Sequence, residues 1–440
     1  MKKITISIIT LAAALIGFTS CKKIIEKTPE MYLSDQTALT SVEGLQAAII
    51  GTYNALTNGD IYGGNAWACG DMIANNVKPS GQGNIVYEET QMLEKNMSPD
   101  NRLTASFWQN AFYVINMANT ILQAVPNVNP PASIANQING ECLFIRGMMY
   151  FDMVRYIGNP NNGLGVPLLT SPTGIDGKPS RAQITDIYAQ IVADLTQAAS
   201  LLPESNDNRA TSWAAKALLS RVYFYLNDDD NCIALSTEVI NSGKYSLVDS
   251  VEDNFLTVIT SEIIFALLAT QQQPISGTLM GYYRYASNGK FSPSVDILKL
   301  YILEPVDQRY RKFFVNHGGK TFLTMFDERY MNIPLIRLAE LYLNRGECRY
   351  NKEDITGALE DINIVRQRAG VSLLTSIIPN KSFYYERARE LMFQGDNFFN
   401  MKRMQKEQIS DLKLPWNSVR LMYLIPQREM DVNPNLVQNQ

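Results

Sequence analysis

Apolar residues recur three and four positions apart along most of the chain, and this spacing predicts amphipathic helices. The first run follows Thr40 and Ser41, which suit a helix N-cap, and it continues to Leu56. The pattern returns at 107–125, 134–157 and 184–202, and then in two later pairs of helices. We therefore predict an all-α fold.

The two later helix pairs align with each other without a gap at an offset of 124 residues. The alignment superimposes identical residues: Ala215 on Ala339, Leu219 on Leu343, Arg221 on Arg345, Asn227 on Asn351, Ala234 on Ala358 and Leu235 on Leu359. Gly346 precedes Ala358 by twelve positions, the small-residue spacing at which the helices of a tetratricopeptide unit approach closely. Arg146 and Gly147 mark a weaker copy, so we predict tetratricopeptide-like helix pairs that form a scaffold. Chance similarity between amphipathic helices would explain part of the match.

Four inserts interrupt the helical pattern, at 58–102, 158–183, 271–292 and from about 410 to 440. The first contains many Gly, Asn, Pro and Ser residues around isolated aromatic residues, and we predict that regular helix does not form there. Loops of this length are usually functional or disordered, and the aromatic residues favour a functional surface. We expect the irregular region to carry the binding surface.

The N-terminal residues are typical of an export signal. Two lysines precede an apolar and hydroxyl stretch from Ile4 to Ile16, and small residues lead to Cys21. This end resembles the lipobox of bacterial lipoproteins, which predicts a signal peptide at 1–20, a lipid anchor on Cys21 and a tether at 21–33. The alternative is a secreted protein in which the cysteine occurs by chance.

Removal of the signal peptide leaves 37 basic and 43 acidic residues, which argues against nucleic acid or an anionic membrane face as the main partner. Four further cysteines are widely spaced, and three of them lie within helical patterns: Cys69, Cys142, Cys232 and Cys348. We favour buried thiols over a disulfide framework.

The chain lacks the sequence motifs of the common hydrolases and of phosphate-binding loops. Its single histidine, His317, precedes two glycines, and a turn explains it better than a general base. Glu386 and Glu390 could serve as the acid and base of a glycosidase, but they alternate with Arg387 and Arg389 and favour a structural ion-pair network. We expect no enzymatic activity, no cofactor and no metal.

Motifs spread over almost the whole mature chain resemble one family. They include Gly51 to Leu56, Trp108 with Asn119, Arg146 to Asp152, Asp194 with Leu195, Phe291 to Ser294, Arg337 to Leu343, Glu386 to Gly395 and Ile425 to Glu429. In this order they are similar to the SusD/RagB family of outer-membrane nutrient-binding lipoproteins. Gln394, Asp396 and Asn400 depart from the residues that are common in that family, which leaves one charge network near the C-terminus in doubt.

The resemblance implies a SusD-like domain at 34–440, with a helical scaffold and no catalytic activity. It also implies a lipid-anchored, surface-exposed protein of the outer membrane that binds oligosaccharide and delivers it to a SusC-like TonB-dependent transporter. Two alternatives stay open: a peptide-binding member of the same family, and a purely structural tetratricopeptide scaffold.

A sugar ring needs flat aromatic rings to stack against and amides or guanidinium groups to bind its hydroxyls. The first and third inserts supply both kinds of side chain. The candidate ligand-binding residues are Tyr62, Asn65, Trp67, Asn75, Tyr87, Tyr282, Tyr283 and Arg284. For each tyrosine, packing onto the scaffold is the competing interpretation.

Overall fold

A computed structural model describes residues 39–440 except positions 175, 273, 303, 408, 410 and 411. The predicted signal peptide, the predicted lipid anchor Cys21 and the predicted tether at 21–33 lie outside the described residues. No helix in the described part of the chain is both long enough and apolar enough to cross a membrane.

The described residues form sixteen α-helices, which confirms the all-α prediction. Their bounds are α1 Val42–Leu56, α2 Asn65–Ile73, α3 Tyr87–Leu93, α4 Arg102–Val128, α5 Ala132–Ile157, α6 Ile184–Leu201, α7 Ser212–Leu226, α8 Asp229–Asn241, α9 Gly277–Tyr283, α10 Val295–Ile302, α11 Gln308–Phe313, α12 Leu338–Asn351, α13 Ile355–Arg368, α14 Ser382–Glu390, α15 Asp396–Arg403 and α16 Gln427–Val432.

Four helix pairs build the scaffold: α1 with α4, α5 with α6, α7 with α8, and α12 with α13. Each pair contacts the next, because α4 packs on α5, α6 on α7, and α8 on α12. The predicted tetratricopeptide-like architecture is confirmed, and the two pairs that align at an offset of 124 residues are neighbours in space.

Matching ion pairs mark equivalent positions in two of these helix pairs. Arg146 donates from Nε and Nη2 to the two carboxylate oxygens of Asp194, each at 2.7 Å. Arg345 makes the same bidentate contact with Asp361, at 2.9 and 2.6 Å. In both cases the arginine lies on the first helix of the pair and the aspartate on the second. The weaker sequence copy at Arg146 is therefore a structural copy as well.

The segment 58–102 is not free of regular structure, so that prediction is wrong. It contains α2, α3 and the first of six short strands. All nine residues of α2 are buried. A helix that is buried on every side lacks the alternating polar face by which sequence patterns are recognised.

The six strands form three two-stranded antiparallel sheets, β1 with β3, β2 with β6 and β4 with β5. Their bounds are β1 Val77–Pro79, β2 Ile263–Leu267, β3 Phe291–Pro293, β4 Phe314–His317, β5 Lys320–Leu323 and β6 Ile333–Arg337. The β1–β3 sheet joins the first insert to the end of the third, with Val77 opposite Pro293.

Glu386 and Glu390 belong to an ion-pair cluster whose partners come mainly from other elements. Arg309 lies 2.8 Å from a Glu386 oxygen and 3.1 Å from a Glu390 oxygen. Arg366 binds Glu386 at 2.7 Å, and Arg337 binds Glu390 at 2.8 Å. The cluster is buried and holds several elements together.

A second charge contact involves one of the departures from the family pattern. Asp396 accepts from Nε and Nη2 of Arg387, each at 2.7 Å. Asn400 accepts from Arg403 at 2.9 Å, and Arg403 also binds Glu347 at 2.6 Å. Asp396 and Asn400 thus take part in the polar contacts near the C-terminus, whereas the buried amide nitrogen of Gln394 has no hydrogen-bond partner within the described residues.

Cys69, Cys142, Cys232 and Cys348 are all free and buried. Burial raises the pKa of the Cys69 thiol to about 12. These side chains behave as small apolar groups, as predicted.

Candidate functional site

A groove of about 440 Å³ opens where the first and third inserts meet the β4–β5 hairpin. Its walls include Lys78, Ser80, Gly81, Ser292, Gly319 and Lys320. Lys320 of the hairpin donates from Nζ to the carbonyl of Ser80 at 2.7 Å, and the Ser80 hydroxyl donates to the carbonyl of Gly289 at 2.6 Å. These contacts join three separate segments of the chain into one concave surface.

The groove offers an exposed cationic side chain, because Lys78 lies at its edge. Ser292 also lines the groove, but its hydroxyl is buried and has no hydrogen-bond partner within the described part of the protein.

The hairpin beside the groove contains the segment that sequence predicted as a turn, and the turn is confirmed. Gly318 and Gly319 both have positive φ, 58° and 77°, as a two-residue hairpin turn of type I′ requires. His317 lies directly opposite Lys320 in the ladder. Opposite residues point their side chains to the same face, so the imidazole and the ammonium groups lie on one side of the hairpin.

An aromatic stack lies on that same side. The Tyr285 ring is parallel to the His317 ring, with 3.9 Å between centroids and 5° between planes. Phe322 supports Tyr285 at a centroid distance of 5.0 Å. Tyr285 is 38% exposed and His317 is exposed as well. The stack provides a flat apolar surface with hydrogen-bonding edges next to the groove.

Five of the eight candidate residues from the sequence are buried: Tyr62, Asn65, Trp67, Tyr282 and Tyr283. The polar side-chain groups of Tyr62, Asn65, Tyr282 and Tyr283 already have partners inside the protein. Tyr62 donates its hydroxyl to Asp152 at 2.5 Å, and Tyr282 donates to Asn65 at 2.9 Å. The structure places these residues in the interior because α2 packs between the scaffold and the third insert.

The other three candidates are accessible. Tyr87 is 73% exposed at the start of α3, and Asn75 is partly exposed in the turn after α2. Arg284 is partly exposed, with Nε 3.5 Å from an oxygen of Asp327. These three stay candidates for ligand contact.

His317 was not among the sequence candidates, and Tyr285 entered only as part of a candidate motif. Tyr285 was visible in the sequence as the last aromatic residue of the motif that begins at Tyr282. The glycine pair after His317 predicted the hairpin turn that presents the imidazole. The contact between the two rings joins residues 32 positions apart, and no sequence pattern indicates it.

Comparison with known proteins shows the family. Residues 27–224 match a family model described as "Starch-binding associating with outer membrane", and residues 308–420 match the SusD family model. A SusD-like protein of Bacteroides ovatus is 24% identical over 471 residues, which covers 90% of this chain and 81% of the relative.

Solved structures share the fold. A SusD superfamily protein of Bacteroides thetaiotaomicron superimposes with a TM-score of 0.81 at 27% identity, over 91% of this chain and 100% of that one. A laminarin-binding SusD-like protein superimposes with a TM-score of 0.78 at 20% identity, over 91% of this chain and 99% of that one. With the two family matches, these results show that the chain belongs to the SusD/RagB family, which is associated with the outer membrane.

Proposed function

We propose that this protein is a non-catalytic, lipid-anchored protein of the outer-membrane surface that binds oligosaccharide and delivers it to a SusC-like TonB-dependent transporter. The observation that carries the proposal is the exposed Tyr285–His317 stack beside the groove. Sugar rings present C–H faces that stack on aromatic rings, and their hydroxyl edges need hydrogen-bonding groups.

Neutral glucose polymers are the ligand class that we propose first. One family description names starch, and a protein with the same fold binds laminarin. In the groove, the Lys78 ammonium would bind a sugar hydroxyl while one ring stacks on His317 and Tyr285. Tyr87, Asn75 and Arg284 would extend this surface.

The state of the carboxylates supports a non-catalytic role. Glu386 and Glu390 are buried and bound by arginines. Burial alone would raise the pKa of Glu390, but the guanidinium groups of Arg368, Arg337 and Arg309 lower it, to about 2. A glycosidase acid must hold its proton near neutral pH, whereas this carboxylate stays ionised.

Calorimetric titration with laminarin and starch oligosaccharides tests the proposal. We expect binding, and we expect the double substitution Tyr285→Ala with His317→Ala to weaken it at least tenfold, or about 1.4 kcal/mol. Tyr113→Ala is the matched control, because Tyr113 is 52% exposed on α4 of the scaffold. The affinity of the Tyr113→Ala variant for these oligosaccharides should equal that of the unmodified protein.

Equal affinities for the double variant and the control would place the site elsewhere. Binding of peptides without any glucan would contradict the glycan ligand and support the peptide-binding alternative. Purification of the anchored protein from solubilised outer membranes checks the transporter partner. We expect a SusC-like transporter to co-purify with it.

A further inference from the structure

A second pocket, of about 150 Å³, lies between the end of α5, the start of α6, the helix α15 and Trp416. A single water needs only roughly 10–15 Å³, so the pocket has room for more than one water. None of the residues that line it also lines the groove.

The charged residues that line this pocket are all basic: Arg155, Lys402 and Arg403. Two of them have carboxylate partners, since Arg155 binds Asp152 and Arg403 binds Glu347 at 2.6 Å. Lys402 instead donates from Nζ to the carbonyl of Arg155 at 2.7 Å, and it forms no ion pair within the described residues. The pocket therefore holds one ammonium group whose charge is not matched by a carboxylate.

Half of the other lining residues are aromatic: Tyr188, Tyr225, Phe399 and Trp416 lie around the space beside the three cations. Val154, Gly158, Pro160 and Ile184 complete the walls. Flat apolar walls beside cationic groups suit a ring that carries a negative charge.

Two asparagines hold the outer edge of the pocket in place. Asn161 donates to the carbonyl of Asn417 at 2.8 Å, and Asn417 donates back to the Asn161 side-chain oxygen at 2.7 Å. Pro160 and Trp416, their chain neighbours, both line the pocket. The second and fourth inserts are thus fastened to each other at this point.

Burial and the Arg155 guanidinium lower the pKa of Lys402 to about 7. A bound carboxylate would favour the charged ammonium and restore its proton. The other titratable or charged groups that line the pocket with Lys402 are Arg155, Arg403, Tyr188 and Tyr225. Asp152 and Glu347 pair with the two arginines, and Lys406 interacts with Glu347 and Arg403.

We propose that this pocket binds an acidic sugar such as a hexuronate. The carboxylate would bind Lys402, and the ring would lie against Trp416 and Tyr188. This ligand differs in charge from the neutral glucan proposed for the groove, and the pocket does not depend on that proposal.

Titration calorimetry with four small probes tests the ligand class. We expect glucuronate to bind, and glucose, which lacks the charge, to bind at least tenfold more weakly. Sulfate, which lacks the ring, should also bind at least tenfold more weakly. Equal affinity for glucose or for sulfate would overturn the proposal, as would binding of benzoate without glucuronate or failure of glucuronate to bind.

Two substitutions locate the binding. Lys402→Met and Trp416→Ala should each reduce glucuronate affinity at least tenfold and leave glucan binding at the groove unchanged. Lys299→Met is the matched control, because Lys299 is 63% exposed on α10. If Lys402→Met does not fold, Lys402→Arg should retain binding while Trp416→Ala abolishes it. Unchanged glucuronate affinity in Trp416→Ala would overturn the site.

The pH dependence gives a separate measure of the role of Lys402. Because the ammonium loses its proton around pH 7, glucuronate affinity should fall as the pH rises from 6 to 8. Titrations at pH 7.5 in buffers of different ionisation enthalpy should show proton uptake on binding. Affinity that stays constant over this range would contradict the contact with Lys402.

Discussion

At the scale of single residues, Asp71 shows how the fold changes the pKa of a side chain. It is fully buried, and it accepts hydrogen bonds from Asn76 at 2.8 Å and from the Tyr283 hydroxyl at 3.1 Å. Burial raises the pKa of Asp71 to about 7, and these hydrogen bonds offset only part of that effect. The unfolded chain would titrate this group near 3.9.

The first prediction concerns this titration. Between about pH 4 and pH 7 the folded protein holds a proton on Asp71 that the unfolded chain has lost, so this group makes the protein less stable as the pH rises. Asp71→Asn keeps a neutral side chain that accepts from Asn76 and can donate to the Tyr283 oxygen. The variant should be more stable at pH 8, by at most about 4 kcal/mol, with the difference disappearing towards pH 4.

Urea unfolding at pH 4.5 and pH 8 measures the effect of Asp71→Asn. The exposed Asp249 provides the matched control, because Asp249→Asn should shift stability little at either pH. A constant difference between Asp71→Asn and the unmodified protein at both pH values would refute the prediction.

At the scale of elements, small residues set how closely the repeat helices approach. A Cβ added to Gly346 would lie 2.8 Å from the ring atom Cε1 of Phe383 and 2.9 Å from Cβ of Asp361. Sequence predicted a close approach at Gly346 from its spacing to Ala358. The structure shows that Phe383 also lies close to Gly346, because α14 packs on α12 as well.

The second prediction follows from this contact. Gly346→Ala should lower the free energy of unfolding by about 1–3 kcal/mol, since the added methyl group overfills a packed interface. Gly281→Ala is the control, because a Cβ at this helical position meets nothing within 4 Å. Chemical denaturation of both variants gives the comparison, and an equally stable Gly346→Ala protein would show that α12 and α13 can separate without cost.

Elements also differ in how well the sequence indicates them. The amphipathic helix α4 has a clear polar face and was predicted, while the buried helix α2 was missed. The N-cap of α2 is Gly64, which has no side chain to form a capping hydrogen bond, and the helix contains Gly70. Its stability comes from packing on all sides, which local sequence does not record.

At the scale of the whole molecule, the cluster around Glu390 connects distant parts of the chain. Glu390 of α14 contacts Arg309 of α11, Arg337 of β6 and Arg368 of α13. These three arginines are 5% exposed or less. Removal of a buried charge that serves several partners leaves those partners without compensation.

The third prediction tests this cluster. Glu390→Gln should cost about 3–5 kcal/mol of stability, because three buried guanidinium groups lose a shared carboxylate. Glu238→Gln should cost less than about 1 kcal/mol, since Glu238 is 52% exposed in its pair with Lys216. Thermal and urea unfolding of both proteins provide the measurement, and similar losses for the two variants would argue against a structural role for the cluster.

Both proposed ligand sites also form only at the scale of the whole molecule. The groove needs β1, the end of the third insert and the β4–β5 hairpin, and the second pocket needs α5, α6, α15 and Trp416. The inserts were predicted as the regions that carry specificity, but the sequence did not indicate which inserts meet. Contacts between residues more than 200 positions apart, such as Lys320 with Ser80, decide this.

The sequence by itself determined the scaffold helices, the internal repeat, the hairpin turn at Gly318 and the family. Each of these depends on local spacing or on the order of motifs along the chain. The tertiary structure alone decided which aromatic residues are accessible: Tyr282 lies inside the protein, while Tyr285 stacks on His317 at the surface. Tyrosine suits both places, because its ring packs well in a core and its hydroxyl tolerates water. Which of the two it occupies depends on the segments that fold over it.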